Sequence, residues 1–133
     1  MKRIFISIAA LMIAAAPSSA LAKNSLEGRW ANPKRSVIVS VSRCGGAYCG
    51  TVAWANEKTR GKVADKGRKL IGTRILSDLK PAGGGVYKGR AYEPKRNLSG
   101  SATVRQVSPD VMLVKGCAIL GMLCKEQRWT RVS

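Results

Sequence analysis

The chain is 133 residues long and carries 24 lysine and arginine residues against 7 acidic residues and no histidine, a formal net charge of +17. This length suits one domain with a modest core, and the absence of histidine removes the commonest general base and metal ligand. The cationic excess favours anionic partners such as phosphate-bearing lipid or envelope polymer, although it could also do no more than keep the protein soluble.

The N-terminus has the three-part organisation of a secretory signal peptide. Two cationic residues precede an apolar run at 4–16, and the small residues of "ALA" precede the expected cleavage point after Ala22. The run is shorter than the roughly 20 residues that a membrane-spanning helix needs. We therefore expect residues 1–22 to be removed and residues 23–133 to form one soluble domain, periplasmic or secreted, with no membrane span.

Apolar and polar residues alternate along most of the remaining sequence, and a period of two is typical of β-strands. The polar segment 56–69, which holds six basic residues, lacks apolar periodicity, so we interpret it as a long loop and expect no helix. The pattern predicts an all-β fold, either a small antiparallel up-and-down β-barrel, which we favour, or a closed-up sandwich, and the short strands favour a filled interior. About eight strands are expected, at 26–31, 36–42, 49–55, 70–79, 85–92, 98–107, 110–116 and 124–132.

Four cysteines, Cys44, Cys49, Cys117 and Cys124, indicate a disulfide framework, because an even count in a small exported domain is typical of one. Their spacings do not match the Cys-x-x-Cys pattern of zinc knuckles or thioredoxin-type redox pairs, so we expect no metal. Each close pair brackets a possible hairpin, which favours 44–49 and 117–124. The chain-entropy model gives roughly 2–2.5 kcal/mol for such short loops and about 4.5 kcal/mol for a long one. Energy therefore does not select the local pairing, and cross-pairing stays open.

An ordered set of short motifs is similar to a family of exported bacterial proteins. The set comprises "GRW" (28–30), "YCGTVAW" (48–54), Asp65 with "IG..IL" (71–76), "GRAYEP" (89–94) and "WTRV" (129–132). It resembles domain-of-unknown-function family 2147 over nearly all of residues 23–133. The resemblance implies a calycin-like antiparallel β-barrel with no assigned activity. The chain departs from the family pattern at "DKGRK" (65–69) and "KRNLSG" (95–100).

The basic segment 56–69 supplies the first group of candidate binding residues. It is a candidate lid over one mouth of the barrel, in which Asp65, Lys66, Arg68 and Lys69 would contact a ligand. The alternative is a solvated excursion, since runs of charge are usually solvated.

Arg90 with Tyr92, and Trp129 with Arg131, form the second group, because each pair shares one face of a predicted strand. An aromatic ring beside a guanidinium can bind an anionic or sugar-like ligand by stacking and bidentate hydrogen bonds. The alternative is that the rings pack in the core while the arginines cap the barrel end.

These features favour a non-enzymatic, monomeric binding module for an anionic or small amphiphilic envelope component, with no cofactor. Nucleic acid is not an expected partner, because few aromatic residues are available to stack on bases. Two alternatives stay open. A small hydrolase would need two facing carboxylates, one of them with a pKa raised by burial, and a protein–protein interaction or inhibitor module would need a secreted partner.

Overall fold

The computed structural model describes residues 25–118 and 121–133, so the predicted signal peptide lies outside the described residues and its cleavage stays a prediction. Eight antiparallel strands follow one another around a closed barrel, since β1 also pairs with β8. The all-β, up-and-down barrel predicted from the alternation is confirmed. The strands are β1 (Gly28–Ala31), β2 (Val37–Cys44), β3 (Ala47–Ala55), β4 (Arg74–Gly83), β5 (Val86–Glu93), β6 (Leu98–Ser108), β7 (Val111–Ala118) and β8 (Leu123–Arg131).

The barrel interior is filled by side chains from alternate positions of the strands. Because successive side chains of a strand point to opposite faces, β2 contributes Val39 and Val41 to the core while its intervening residues face outward. The central cluster also contains Leu26, Trp30, Tyr48, Leu76, Leu79, Ala102, Val104, Met112, Val114 and Trp129. The filled interior expected from the short strands is therefore what the structure shows.

Gly89 marks the place where β5 passes very close to its neighbour β4. The β4 strand has a bulge between Ser77 and Lys80, and Asp78 there has a positive φ of 53°. A Cβ atom on Gly89 would lie 2.7 Å from the carbonyl carbon of Asp78. Since backbone atoms cannot move aside as a flexible side chain can, only glycine fits this position without displacing the strand.

The expectation of a helix-free loop at 56–69 was wrong, because residues Glu57–Ala64 form a helix, α1. Asn56 caps it: its side-chain oxygen accepts a hydrogen bond from the Thr59 N–H at 2.9 Å. Val63 is the only buried residue of the helix, and it packs with Val52, Ala55 and Leu70. A single apolar anchor in eight residues leaves no amphipathic period to detect, so only the Asn-Glu start of the helix was available as a signal.

The two disulfides join Cys44 to Cys49 and Cys117 to Cys124, which are the favoured local pairings. Cys117 and Cys124 are direct cross-strand partners on β7 and β8. Cys44 instead lies opposite Ala47, so its bond to Cys49 runs diagonally across the β2–β3 hairpin. Two disulfides indicate an oxidising, extracytoplasmic compartment.

Candidate functional site

The up-and-down order places alternate connections at opposite ends of the barrel. At one end, here the capped end, lie the start of β1, the end of β8 and the turns at 45–46, 84–85 and 109–110. At the other end, here the rim, lie the connections 32–36, 56–73 and 94–97 and the residues 121–122 that precede β8. The two ends differ sharply in how their charges are arranged.

Arg131 closes the capped end with a nearly complete set of partners. Its guanidinium lies 4.3 Å from the centre of the Trp30 ring. It donates hydrogen bonds to the backbone carbonyls of Ser25 (2.7 Å), Glu27 (2.6 Å) and Pro109 (2.8 Å). Gly28 leaves room for this arrangement. A Cβ atom there would collide with Nη1 of Arg131 and would lie 2.6 Å from the Ser133 carbonyl oxygen. The Gly-Arg-Trp segment that begins β1 and the Trp-Thr-Arg segment that ends β8 thus form one structural unit.

Two arginines at the capped end lie near carboxylates. Arg43 lies 3.4 Å from Glu27, and Arg131 lies 3.9 Å from Asp110. Arg43 also lies 5.1 Å from the centre of the Tyr48 ring. These are the two ion pairs among residues 25–118 and 121–133, and both are at this end.

Positive charge at the rim is not compensated in this way. The segments 32–36, 56–73 and 94–97 contain ten basic residues and two acidic residues. Neither acid, Glu57 or Asp65, forms an ion pair within the described part of the chain. The nearby Glu93 carboxylate accepts the Arg96 backbone N–H at 2.7 Å. We call the ten basic side chains the cationic rim: Lys34, Arg35, Lys58, Arg60, Lys62, Lys66, Arg68, Lys69, Lys95 and Arg96.

A shallow depression of about 310 Å³ lies in the cationic rim, where α1 runs into the segment that follows it. Its cations are Arg60, Arg68 and Lys69, and its apolar residues are Ala64, Leu70 and Ile71. Arg60 and Ala64 lie one helical turn apart and so share a face of α1. The Arg68 guanidinium donates to the Pro94 carbonyl at 3.1 Å, which joins this segment to the β5–β6 turn. Three cations over an apolar floor can hold an anionic group that carries a small apolar part.

A second depression, of about 350 Å³, lies on the outer wall of the barrel away from the rim. It is lined by Val86, Thr103, Arg105, Leu113, Lys115 and Glu126, which are outward-facing residues of β5 to β8. Here a carboxylate faces one of the two cations, because Glu126 is the cross-strand partner of Lys115. The charge is therefore weaker than in the rim depression.

The structure brings together the first group of candidate residues but not the second. Asp65, Lys66, Arg68 and Lys69 all lie on the rim, in the segment that α1 begins. Arg68 and Lys69 line the depression, whereas Asp65 and Lys66 are exposed beside the helix end.

The second group is divided between the two ends of the barrel. Arg90 and Tyr92 face outward near the rim, and the Tyr92 hydroxyl donates to the Asn97 side chain at 2.9 Å. Trp129 is a core residue, only 6% exposed, and Arg131 caps the opposite end. These four residues therefore cannot surround one ligand, and Trp129 with Arg131 follows the core-and-cap interpretation. Arg60, which sequence reasoning did not single out, joins the depression because α1 turns it toward Arg68.

The carboxylates lack the burial that the acid of a glycosidase-type hydrolase needs. All seven of them, Glu27, Glu57, Asp65, Asp78, Glu93, Asp110 and Glu126, are exposed. Within residues 25–118 and 121–133 there is also no group of three potential metal-ligating side chains. The described part of the chain has no helix with the length and apolar character that a membrane span requires.

Comparison with known proteins identifies the fold and a family. Residues 28–131 match the family model described as "Uncharacterized protein conserved in bacteria (DUF2147)". Protein HP1028 from Helicobacter pylori, described as belonging to the lipocalin family, has a similar structure, with a TM-score of 0.64 and 21% sequence identity. The match covers 82% of this chain and 84% of that one, and at this identity it shows a shared fold alone. No curated protein sequence matches the chain.

Proposed function

This chain belongs to the bacterial family DUF2147, and from that premise we propose that it is an exported binding module whose cationic rim contacts an anionic component of the cell envelope. The family has no assigned activity, so the proposal depends on the chemistry of this chain. The signal-like N-terminus and the two disulfides support export.

The observation that carries the proposal is the unequal compensation of charge at the two barrel ends. If the basic residues served solubility alone, nothing would require them to cluster at one end of the barrel. Here Arg43 and Arg131 at the capped end each lie near a carboxylate, while nine of the ten rim cations are exposed and neither acid of the rim segments forms an ion pair with them. Clustered cations raise the local potential and attract polyanions more strongly than the same charges dispersed.

The rim depression is the natural centre of the contact. Arg60 and Lys69 project from elements that Val63 and Leu70 anchor in a buried cluster, so their backbone positions are well defined. A phosphate or carboxylate placed there would meet guanidinium and ammonium groups from different segments of the chain. The cations suit any polyanion, and the apolar floor could in addition contact the apolar part of an amphiphilic ligand.

The test compares two pairs of charge removals that alter net charge equally. Arg60→Gln with Lys69→Gln removes two cations from the depression. Lys80→Gln with Lys88→Gln removes two exposed cations that are cross-strand neighbours on the barrel wall. Binding of long-chain polyphosphate, a soluble polyanion probe, is measured by titration calorimetry over a series of salt concentrations.

We expect the rim pair to weaken polyphosphate binding by about 10-fold or more, since each basic residue near an anionic surface contributes on the order of 1 kcal/mol. The wall pair should weaken it by about threefold or less, because those charges lie beyond about one Debye length from the contact in physiological salt. Equal losses for the two pairs would show that the charge acts only as a general basic exterior, and the proposal would be wrong.

A further inference from the structure

Exposed apolar side chains share the rim with its cations. Met122 is 84% exposed, Leu123 is 44% exposed and Trp54 is 43% exposed. Single exposed apolar residues are common and need no explanation. Three large ones, including a tryptophan, at the same end as ten cations form a combination that does need one.

Met122 and Leu123, here called the apolar tip, lie where β7 turns into β8. The disulfide between Cys117 and Cys124 ties the base of this hairpin, so the tip is presented on a braced pair of strands. Lys125 follows two residues later and is also exposed. The tip is therefore an apolar projection with positive charge directly behind it.

Trp54 adds an aromatic residue toward the same end of the barrel. It is the next-to-last residue of β3 and pairs with Ile38, the second residue of β2. This position lies beside the rim, two residues before Asn56, the N-cap of α1. Tryptophan is enriched where proteins meet the headgroup region of a bilayer, because its ring is apolar and its N–H is polar.

We infer that the rim docks on the surface of an anionic lipid bilayer, with the apolar tip and Trp54 entering the headgroup layer while the cations face lipid phosphates. This inference rests on the proposed function and names the form in which the anionic component is presented. The combination favours a bilayer over a soluble polyanion, because a polyanion offers charge but nothing to cover Met122, Leu123 and Trp54. Interfacial binding uses both kinds of contact, burial of apolar surface and attraction to anionic headgroups.

The experiment measures flotation of the full exported protein with two vesicle preparations. One is phosphatidylcholine alone, and the other is phosphatidylcholine mixed equally with phosphatidylglycerol. The variants are Met122→Ser, alone and together with Leu123→Ser. The matched control is Val107→Ser, which alters a similarly exposed apolar residue, 46% exposed, near the capped end.

Tryptophan emission gives an independent measure of insertion. The chain contains three tryptophans, and Trp30 and Trp129 are at most 6% exposed. A shift of emission to shorter wavelength on adding vesicles would therefore report the environment of Trp54. Far-UV circular dichroism and thermal unfolding of each variant show that it is folded, and the single Met122→Ser change in an exposed turn keeps the test available if the double variant is destabilised.

We expect binding to the anionic vesicles and not to phosphatidylcholine alone, with a blue shift of Trp54. The double tip variant should bind the anionic vesicles about 10-fold or more weakly, since apolar burial contributes about 25 cal/mol per Å², while Val107→Ser should bind like the parent. The tip variants should still bind polyphosphate as the parent does.

Two results separate the inference from the proposed function. If the tip variants bind anionic vesicles as tightly as the parent, or Trp54 emission does not shift, while polyphosphate binding persists, the bilayer inference fails and the proposed function stands. If neither polyphosphate nor anionic vesicles bind through the rim cations, both fail together.

Discussion

Replacing Arg131 tests whether this residue is a structural cap rather than a ligand-binding group. Arg131→Ala removes three hydrogen bonds to backbone carbonyls and the stacking of the guanidinium on Trp30. Arg131→Lys keeps the positive charge but loses the planar fork that reaches three acceptors at once. Arg128→Ala, three residues earlier on β8 and exposed, is the matched control on the same strand.

The expected loss follows from the contacts. Each of the three hydrogen bonds is counted at about 1 kcal/mol net, because two of the carbonyls are in exposed positions and can bind water once the guanidinium is gone. The stacking on Trp30 adds about 1 kcal/mol. The ion pair with Asp110 adds nothing to the sum, since that carboxylate is 74% exposed and 3.9 Å away. Arg131→Ala should therefore lower the free energy of unfolding by about 4 kcal/mol, a large part of the 5–15 kcal/mol typical of a domain.

Urea unfolding followed by tryptophan fluorescence measures this change, because Trp30 and Trp129 are buried and report loss of the core. Arg131→Lys should recover about half of the loss, and Arg128→Ala should stay within about 0.5 kcal/mol of the parent. A loss below about 1 kcal/mol for Arg131→Ala, or equal losses at Arg131 and Arg128, would refute the cap. So would weaker polyphosphate binding by folded Arg131→Lys, which would return this residue to the binding site.

Three further predictions concern the barrel and the rim. Replacing Cys117 and Cys124 together by Ser should lower the free energy of unfolding by about 2.5 kcal/mol on the chain-entropy model, and reducing buffer should destabilise the variant less than the parent, because only the Cys44–Cys49 bond is left to reduce. If it behaves instead like the oxidised parent, the bond contributes nothing. Gly89→Ala should cost about 1–3 kcal/mol because its methyl group meets the β4 backbone, whereas Gly116→Ala, whose nearest contact is at 3.5 Å, should cost less than about 1 kcal/mol in the same urea titration. Asn56→Ala should weaken the start of α1 by about 1 kcal/mol, seen as roughly fivefold faster amide exchange in α1; unchanged exchange there would show that the cap hydrogen bond is unimportant.

Local signals in the sequence were enough to predict the strands and their order around a barrel. Residues such as Val37, Val39 and Val41 indicate which face is buried, and apart from the segment 56–73 the connections are too short for anything but antiparallel neighbours. The helix α1 escaped detection because it has one buried side chain, Val63, and is stabilised by what that residue packs against. Helices of this length are marginal without tertiary contacts.

The sequence by itself determined the strand content, the close spacing of the cysteines and the excess of positive charge, because each is a property of neighbouring residues. Only the tertiary structure decided how the charge is distributed. At one end it places Arg43 and Arg131 each beside a carboxylate. At the other end it leaves Arg60, Arg68 and Lys69 together, and it separates Arg90 from Trp129. The antiparallel order assigns alternate connections to opposite ends, and closure of the barrel brings β1 beside β8. Residues distant in the chain thereby become neighbours, and no local pattern contains that information.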